Sequence, residues 1–202
     1  MAFAFAVSLP LGVYAAVHRG GMLDFGARSF AILGGALPSF LSGLVFIKIF
    51  AVELDWFPVG GRNEPLSIVL PAVTLGWFVS AAIMRLTRSS MLEVLDTDYV
   101  KLARIKGARE WVVIWRHALK NALQPVVTYS AVIFASVIGG ALVTEYVFAW
   151  PGLASLLVHA VQSRDFPLIQ GAVILIGVFF IVANFLADLA YAWLDPRIRY
   201  SR

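Results

Sequence analysis

No cysteine occurs among the 202 residues of this chain, which excludes structural disulfides, thiol nucleophiles and thiolate metal sites but identifies no compartment. Charge is scarce too. Only 14% of residues are Asp, Glu, Lys or Arg, against about 25% in an ordinary soluble domain. There is no Gly-Lys dipeptide and hence no P-loop, so any energy from ATP must come from another chain. Neither HExxH nor GxSxG is present, and His18, His117 and His159 fall in separate connections with no visible catalytic or metal-binding companions. What fills the chain is apolar: 60% of residues are hydrophobic and the mean hydropathy is +0.85. The fold class this implies is an all-α polytopic membrane protein.

A bilayer core of about 30 Å takes roughly 20 apolar residues of helix. Five runs approach that size: 2–17, 29–51, 66–84, 124–144 and 168–194. Pro10, Pro38, Pro71 and Pro125 lie in or at the edge of these runs, which membrane helices tolerate and which predicts kinks. No internal repeat or low-complexity linker divides the chain, so one membrane domain over 1–202 is the simplest partition.

Lys and Arg set the orientation. Thirteen of them (Arg19, Arg28, Arg85, Arg88, Lys101, Arg104, Lys106, Arg109, Arg116, Lys120, Arg197, Arg199 and Arg202) fall on one side of the five spans, and Lys48, Arg62 and Arg164 on the other. The positive-inside bias therefore places the long connection 85–123 and the C-terminus in the cytoplasm and the N-terminus outside. The net charge of +4 and pI near 9.6 are explained by this topology, without nucleic acid. The first apolar run has no charged segment before it and basic residues after it, the reverse of a signal peptide; it reads as a span whose predecessor is missing, through truncation or an internal start.

The connection 85–123 contains no proline and has helix-forming composition. Leu102, Ile105, Ala108, Val112, Trp115, Leu119 and Ala122 recur at steps of three and four and predict an apolar stripe, with Lys101, Arg104, Arg109, Arg116 and Lys120 largely off it. Gly107 interrupts the pattern and predicts a turn at positive φ between two helical pieces. Taken alone, such a segment also fits a surface helix lying on anionic lipid, with Trp111 and Trp115 at the interface. The connections 53–65 and 145–167 are rich in aromatics, Pro and Gly, as suits interfacial anchors and short re-entrant or surface helices.

The order of residues adds to this. Asp98-Tyr99-Val100-Lys101-Leu102-Ala103-Arg104-Ile105-Lys106-Gly107, followed by Arg116-His117-Ala118-Leu119-Lys120-Asn121-Ala122-Leu123-Gln124-Pro125, resembles the cytoplasmic signature of ABC importer permeases, in particular the dipeptide, oligopeptide and nickel permeases. Phe57-Pro58-Val59-Gly60-Gly61, Glu145-Tyr146-Val147-Phe148-Ala149-Trp150-Pro151-Gly152-Leu153, Arg164-Asp165-Phe166-Pro167 and Leu194-Asp195-Pro196-Arg197 are similar to further landmarks of that family, in the same order. One departure is visible: Lys101-Leu102-Ala103 stands where the general motif has Glu-Ala-Ala.

The resemblance implies a transport subunit rather than an enzyme. It makes Ala103, Arg104, Lys106, Gly107, Ala108 and Arg109 the part that couples to an ATPase, and Glu145, Phe148, Pro151, Gly152 and Asp165 the external landmarks. It also implies a second, related permease, two ABC ATPases that hold ATP and Mg, and an extracytoplasmic solute-binding protein, in a bacterial or archaeal plasma membrane. This chain itself is expected to bind no cofactor or metal. A dipeptide or oligopeptide is the expected solute, with nickel or another small solute as the alternative.

Within the spans, Asn184 and Asp188 share a face of the last helix and are candidates for a translocation path or gate, Asp188 alternatively pairing with an Arg. Ser39, Ser42, Thr74, Ser80, Thr128, Ser130 and Ser136 either line a path or pack helices. Two readings of another class stay open on composition: an intramembrane enzyme built on Asp188 or a His, and a lipid-binding membrane scaffold.

Overall fold

Helices form on every apolar run. The computed structural model describes residues 1–194, apart from the side chains of 131, 135, 136, 138, 139, 187, 188 and 190–194. Asp188, Ser136 and the Leu194-Asp195-Pro196-Arg197 landmark, with Arg199 and Arg202, therefore lie outside the described residues or side chains. In order, the elements are α1 (Ala2–Val17), α2 (Met22–Ala36) and α3 (Ser39–Phe46), which continues into a π-helical turn (Ile47–Glu53). A 3-10 turn (Pro65–Ile68) then leads into α4 (Val69–Leu95), followed by α5 (Asp98–Ile105). Next, α6 (Glu110–Val112) runs through a second π-helical turn (Val113–Ala118) into α7 (Leu119–Val147), and α8 (Leu153–Ser163) and α9 (Phe166–Leu194) complete the order. Among the described residues there is no strand.

Proline acts differently in different runs. Pro10 and Pro125 sit inside α1 and α7. The run 29–51, expected as one span, is instead broken at Leu37 and Pro38, where Pro38 has ψ 142° and caps α3. Proline has no N–H to give to the preceding turn, and its ring pushes the residue before it out of the helical region. By length and composition among the described residues, Pro65–Leu95 and Phe166–Leu186 are each able to cross a membrane, and the bent pair Met22–Ala36 with Ser39–Glu53 adds a third if it is one span.

The chain packs as two compact units, Met1–Ala36 with Val79–Ser130 and Leu37–Phe78 with Ala131–Arg202, and α4 and α7 contribute to both. In the first unit the buried face of α1 is made of small residues at steps of four, Ala4, Ser8, Gly12 and Ala16. Such a stripe lets helix backbones approach closely. At Gly12 the approach is so close that a Cβ would lie 2.8 Å from the Cβ of Thr87 on α4. Ala15, Ala27, Ala31, Ala81 and Met84 pack α1, α2 and α4 together, and Val13, Ala16, Met91, Ala118 and Ala122 join α1 and α4 to the start of α7.

The second unit packs larger side chains. Phe148, Leu70 and Ala51 form its core with Phe46, Phe50 and Phe57 around them, and Phe46 stacks on Trp77 with ring centroids 5.1 Å apart. Hydroxyl groups in both units mostly turn onto their own helix: Thr74 donates to the Leu70 carbonyl at 2.8 Å, Ser130 to that of Val126 at 2.6 Å, and Ser42 to that of Ser39 at 3.0 Å. These bonds satisfy buried hydroxyls without a second helix. Ser80 instead reaches across to the Ala4 carbonyl on α1 at 3.4 Å.

Candidate functional site

The connection between α4 and α7 folds as a short helix, a tight turn and a second helical stretch. Val100 is the buried residue that holds α5 to the unit. Three backbone bonds then close the end of α5: Lys106 N–H to Leu102, Gly107 N–H to Arg104 at 2.9 Å, and Ala108 N–H to Ala103 at 3.1 Å. The last two, together with φ +78° at Gly107, make a Schellman turn, which needs a residue without Cβ strain at that position. The chain then extends at Arg109 (ψ 137°) and re-enters helix at Glu110.

Two side-chain contacts brace the turn. Arg104 donates to both oxygens of Glu110, from Nη2 at 2.7 Å and from Nε at 3.2 Å. That hydrogen bond holds the Glu110 carboxyl below its ordinary range and the Arg104 guanidinium above its own. Both partners are well exposed, so the pair fixes geometry more than it adds stability. At the base, the Tyr99 hydroxyl donates to the His117 carbonyl at 2.7 Å and accepts from the Asn121 amide at 2.7 Å, tying α5 to the head of α7.

The expected apolar stripe is not one face. Beyond the turn its members do face inward, Ala122 buried and Val112, Trp115 and Leu119 half-buried, while before the turn Leu102 (54% exposed) and Ile105 (80%) face outward, as does Trp111 (70%). The reason is the turn itself: once Gly107 reverses the chain, a period counted through it no longer describes one helix face. Arg104, Lys106 and Arg109 are exposed beside these apolar residues, and Ala103 and Ala108 are half-buried at the bend. The six residues expected to couple to an ATPase thus lie on one protruding turn.

The residues expected to be external landmarks all fall in the second unit. Phe148 is buried and its carbonyl accepts the Gly61 N–H at 2.9 Å, so the 53–65 connection is pinned to the end of α7. Gly60 lies so close that a Cβ there would overlap the Phe148 carbonyl. Half-buried Glu145 accepts the Ala154 N–H on Oε2 at 3.0 Å, placing a carboxylate at the positive end of α8. Gly152 leaves room for that carboxylate, and Ser155 accepts the Gly152 N–H at 3.1 Å. Pro151 is exposed at the preceding turn. Asp165 accepts the Leu168 N–H at 3.1 Å and starts α9. Glu145→Ala is expected to destabilise the fold by about 1 kcal/mol through loss of the cap, and Glu145→Gln, which keeps an acceptor, by less; thermal unfolding of the purified chain in detergent checks both.

Asn184 donates to the Phe180 carbonyl of its own helix at 2.8 Å, and the Asp188 side chain lies outside the description. The His18 Nδ1 lies 3.2 Å from the Tyr14 carbonyl, and no group of three metal-ligating side chains occurs among the described residues. Lys48 pairs with Glu53 at 3.9 Å, well exposed.

One cluster escaped the sequence reading. Asp24, in the segment 18–28 between the first two apolar runs, is buried and held by Arg28 and Arg88. Its signal was present: it is the lone acid among basic residues of 18–28, four positions before Arg28.

The family described as binding-protein-dependent transport system inner membrane component matches residues 8–200. The glutathione transport system permease protein GsiC of Pectobacterium atrosepticum is 44% identical over 100% of this chain and 66% of its own length. The dipeptide transport system permease protein DppB of Bacillus subtilis is 43% identical over 96% of this chain and 63% of its own. The chain thus spans a little under two thirds of the length of these relatives. In structure it is similar to the MetNI methionine ABC transporter in inward-facing conformations, with TM-score 0.73 and 17% identity over 96% of this chain and 88% of that one. An amino acid ABC transporter crystallised with histidines gives TM-score 0.65 and 16% identity, over 94% and 86%. At such identities these two likenesses concern the fold alone.

Proposed function

The chain belongs to the family of binding-protein-dependent transport system inner membrane components, and from that premise we propose that it is a permease subunit of an ATP-driven importer for dipeptides or oligopeptides. The observation that carries the reading is the protruding turn at Gly107. Leu102, Ile105 and Trp111 are exposed there beside Arg104, Lys106 and Arg109, and backbone and side-chain bonds fix the shape. A rigid, mixed apolar and basic projection suits docking in a groove of a partner protein.

In this reading the turn sits in the cytoplasm on one of two ATPase subunits, and a second, related permease supplies the other half of the path. ATP and Mg belong to the ATPases. Closure of the ATPases moves the coupling turns, and rocking of the membrane subunits exposes the path alternately to each side. An extracytoplasmic binding protein delivers the solute. This chain performs no covalent step, and Asn184 and Asp188, four positions apart on α9, are the candidates for the path or gate. The peptide assignment is supported by the two relatives named for glutathione and dipeptide transport.

Two measurements test this. Vesicles holding the chain with its partner permease, ATPases and binding protein should accumulate labelled dipeptide only with ATP, and excess unlabelled peptide, not nickel, should compete. Competition by nickel alone would reassign the solute. Reporter fusions after Gly61 and after Arg202 should report the outside and the cytoplasm respectively, as the Lys and Arg bias requires; opposite signals would overturn the orientation and with it the docking side of the turn.

A further inference from the structure

The Asp24 cluster lies in the unit that carries the coupling turn. Asp24 is the second residue after Met22 at the start of α2, and its side chain is 0% exposed. Oδ1 accepts from Arg28 Nε at 3.0 Å and from Arg88 Nε at 2.6 Å. Oδ2 accepts from Arg88 Nη2 and the Gly20 N–H, each at 3.0 Å, and from Arg28 Nη2. Every lone-pair direction of a buried carboxylate is thereby occupied.

The two arginines are not equivalent. Arg28 is one helical turn from Asp24 and 53% exposed, so its arm is local and solvated. Arg88 is 64 positions away on α4 and 19% exposed. Its two parallel bonds fix the roll of α4 as well as its distance from α2, because a fork on a carboxylate tolerates little rotation. One position earlier, Thr87 packs against Gly12 of α1. α1 and α2 therefore grip α4 within a single turn of helix.

That grip lies close to the coupling turn. From Arg88, α4 continues to Leu95, and only Asp96 and Thr97 separate it from α5. Force applied to α5 enters α4 through this two-residue joint. The apolar packing of α1, α2 and α4 resists separation but, unlike a fork on a carboxylate, does not by itself fix the roll of α4. With the grip, α1 and α2 must follow. On the permease reading above, we propose that Asp24 and Arg88 are positioning residues that latch α1 and α2 to α4, so that displacement of the coupling turn moves the three helices as one body.

A buried ion pair does not argue for a stability role, since apolar residues of similar volume often replace one at no loss, whereas a single deletion strands a charge. The informative variant is thus Asp24→Leu with Arg88→Met. Because the chain has no cysteine, spin labels at exposed Arg19→Cys and Glu93→Cys report the α1–α2 connection against α4 without background. In nanodiscs the otherwise unchanged chain should give one narrow distance distribution and the double variant a broad one at similar membrane level. In the full complex, solute moved per ATP should fall about fivefold in the double variant. Should that variant not reach the membrane, Arg88→Lys, which keeps the charge and loses the fork, carries the test with the same two readouts. A narrow distribution in the variant overturns the latch, and a broad one with unchanged coupling overturns its role in transport. A complex with the unsubstituted chain that moves no solute overturns only the permease reading, leaving the label distances to judge the latch.

Discussion

Gly107→Val is expected to lower uptake about tenfold or more while membrane level stays within about twofold of the unsubstituted chain, since a β-branched residue at positive φ costs on the order of 1–3 kcal/mol and 1.4 kcal/mol is a factor of ten. The cause is purely conformational. Gly107 has φ +78°, and a Cβ built there meets nothing within 4 Å, so there is space for the side chain but no comfortable backbone. Relief of that strain means giving up the bonds from Gly107 to Arg104 and from Ala108 to Ala103. Leu102 and Ile105 would then point elsewhere. Gly107→Asn should retain most of the activity, because asparagine enters the left-handed region more readily than other side chains. Arg104→Ala and Lys106→Ala supply the contrast. A helix that only binds lipid loses affinity for anionic vesicles in proportion to charge removed; a docking turn responds by position, Arg104 more than Lys106, because Arg104 also braces Glu110. Normal coupling in Gly107→Val with lipid binding lost in the charge variants would sink the docking reading.

Gly107 was legible from sequence because a single residue type announced a single backbone requirement. The helices were legible for a similar reason: long apolar runs between basic connections leave the chain few alternatives in a membrane. Other features depended on contacts that no local pattern encodes. Pro10, Pro38 and Pro125 look alike in sequence, yet only at Pro38 does the helix break. The outward exposure of Leu102 and Ile105 could not be read from periodicity, since the turn between them and Val113 resets the helix face. Asp24 was harder still. Its i, i+4 partner Arg28 is visible in sequence, but its second partner, Arg88, lies 64 residues on. The motif Glu145 to Gly152 stood out in sequence without its physics: Glu145 is a cap for α8, and Gly152 is the space that admits it.

Gly60→Ala is expected to destabilise the second unit by about 1–3 kcal/mol or more, read as a fall in Tm of several degrees, because the added methyl overpacks against atoms that cannot step aside. A Cβ at Gly60 would overlap the Phe148 carbonyl oxygen and lie 2.9 Å from its carbonyl carbon, and both belong to backbone rather than to a flexible side chain. Phe148 has no room to retreat. Its ring is buried against Gly43, where a Cβ would come within 3.1 Å of Cε2, and its carbonyl holds the Gly61 N–H. The 53–65 connection must therefore lift away from α7, breaking that hydrogen bond and uncovering the Phe148 core. Limited proteolysis should cut the variant faster within 53–65 than elsewhere. Gly177→Ala is the matched control in the same unit, since Gly177 lies inside α9, a Cβ there meets nothing within 4 Å, and a helix interior should gain about 0.5–1 kcal/mol from the lost chain entropy of glycine. Opposite shifts of the two variants would show that Gly60 serves close backbone contact, not flexibility. Equal Tm values for Gly60→Ala and the unsubstituted chain, with unchanged cleavage, would mean that the connection does not rest on Phe148.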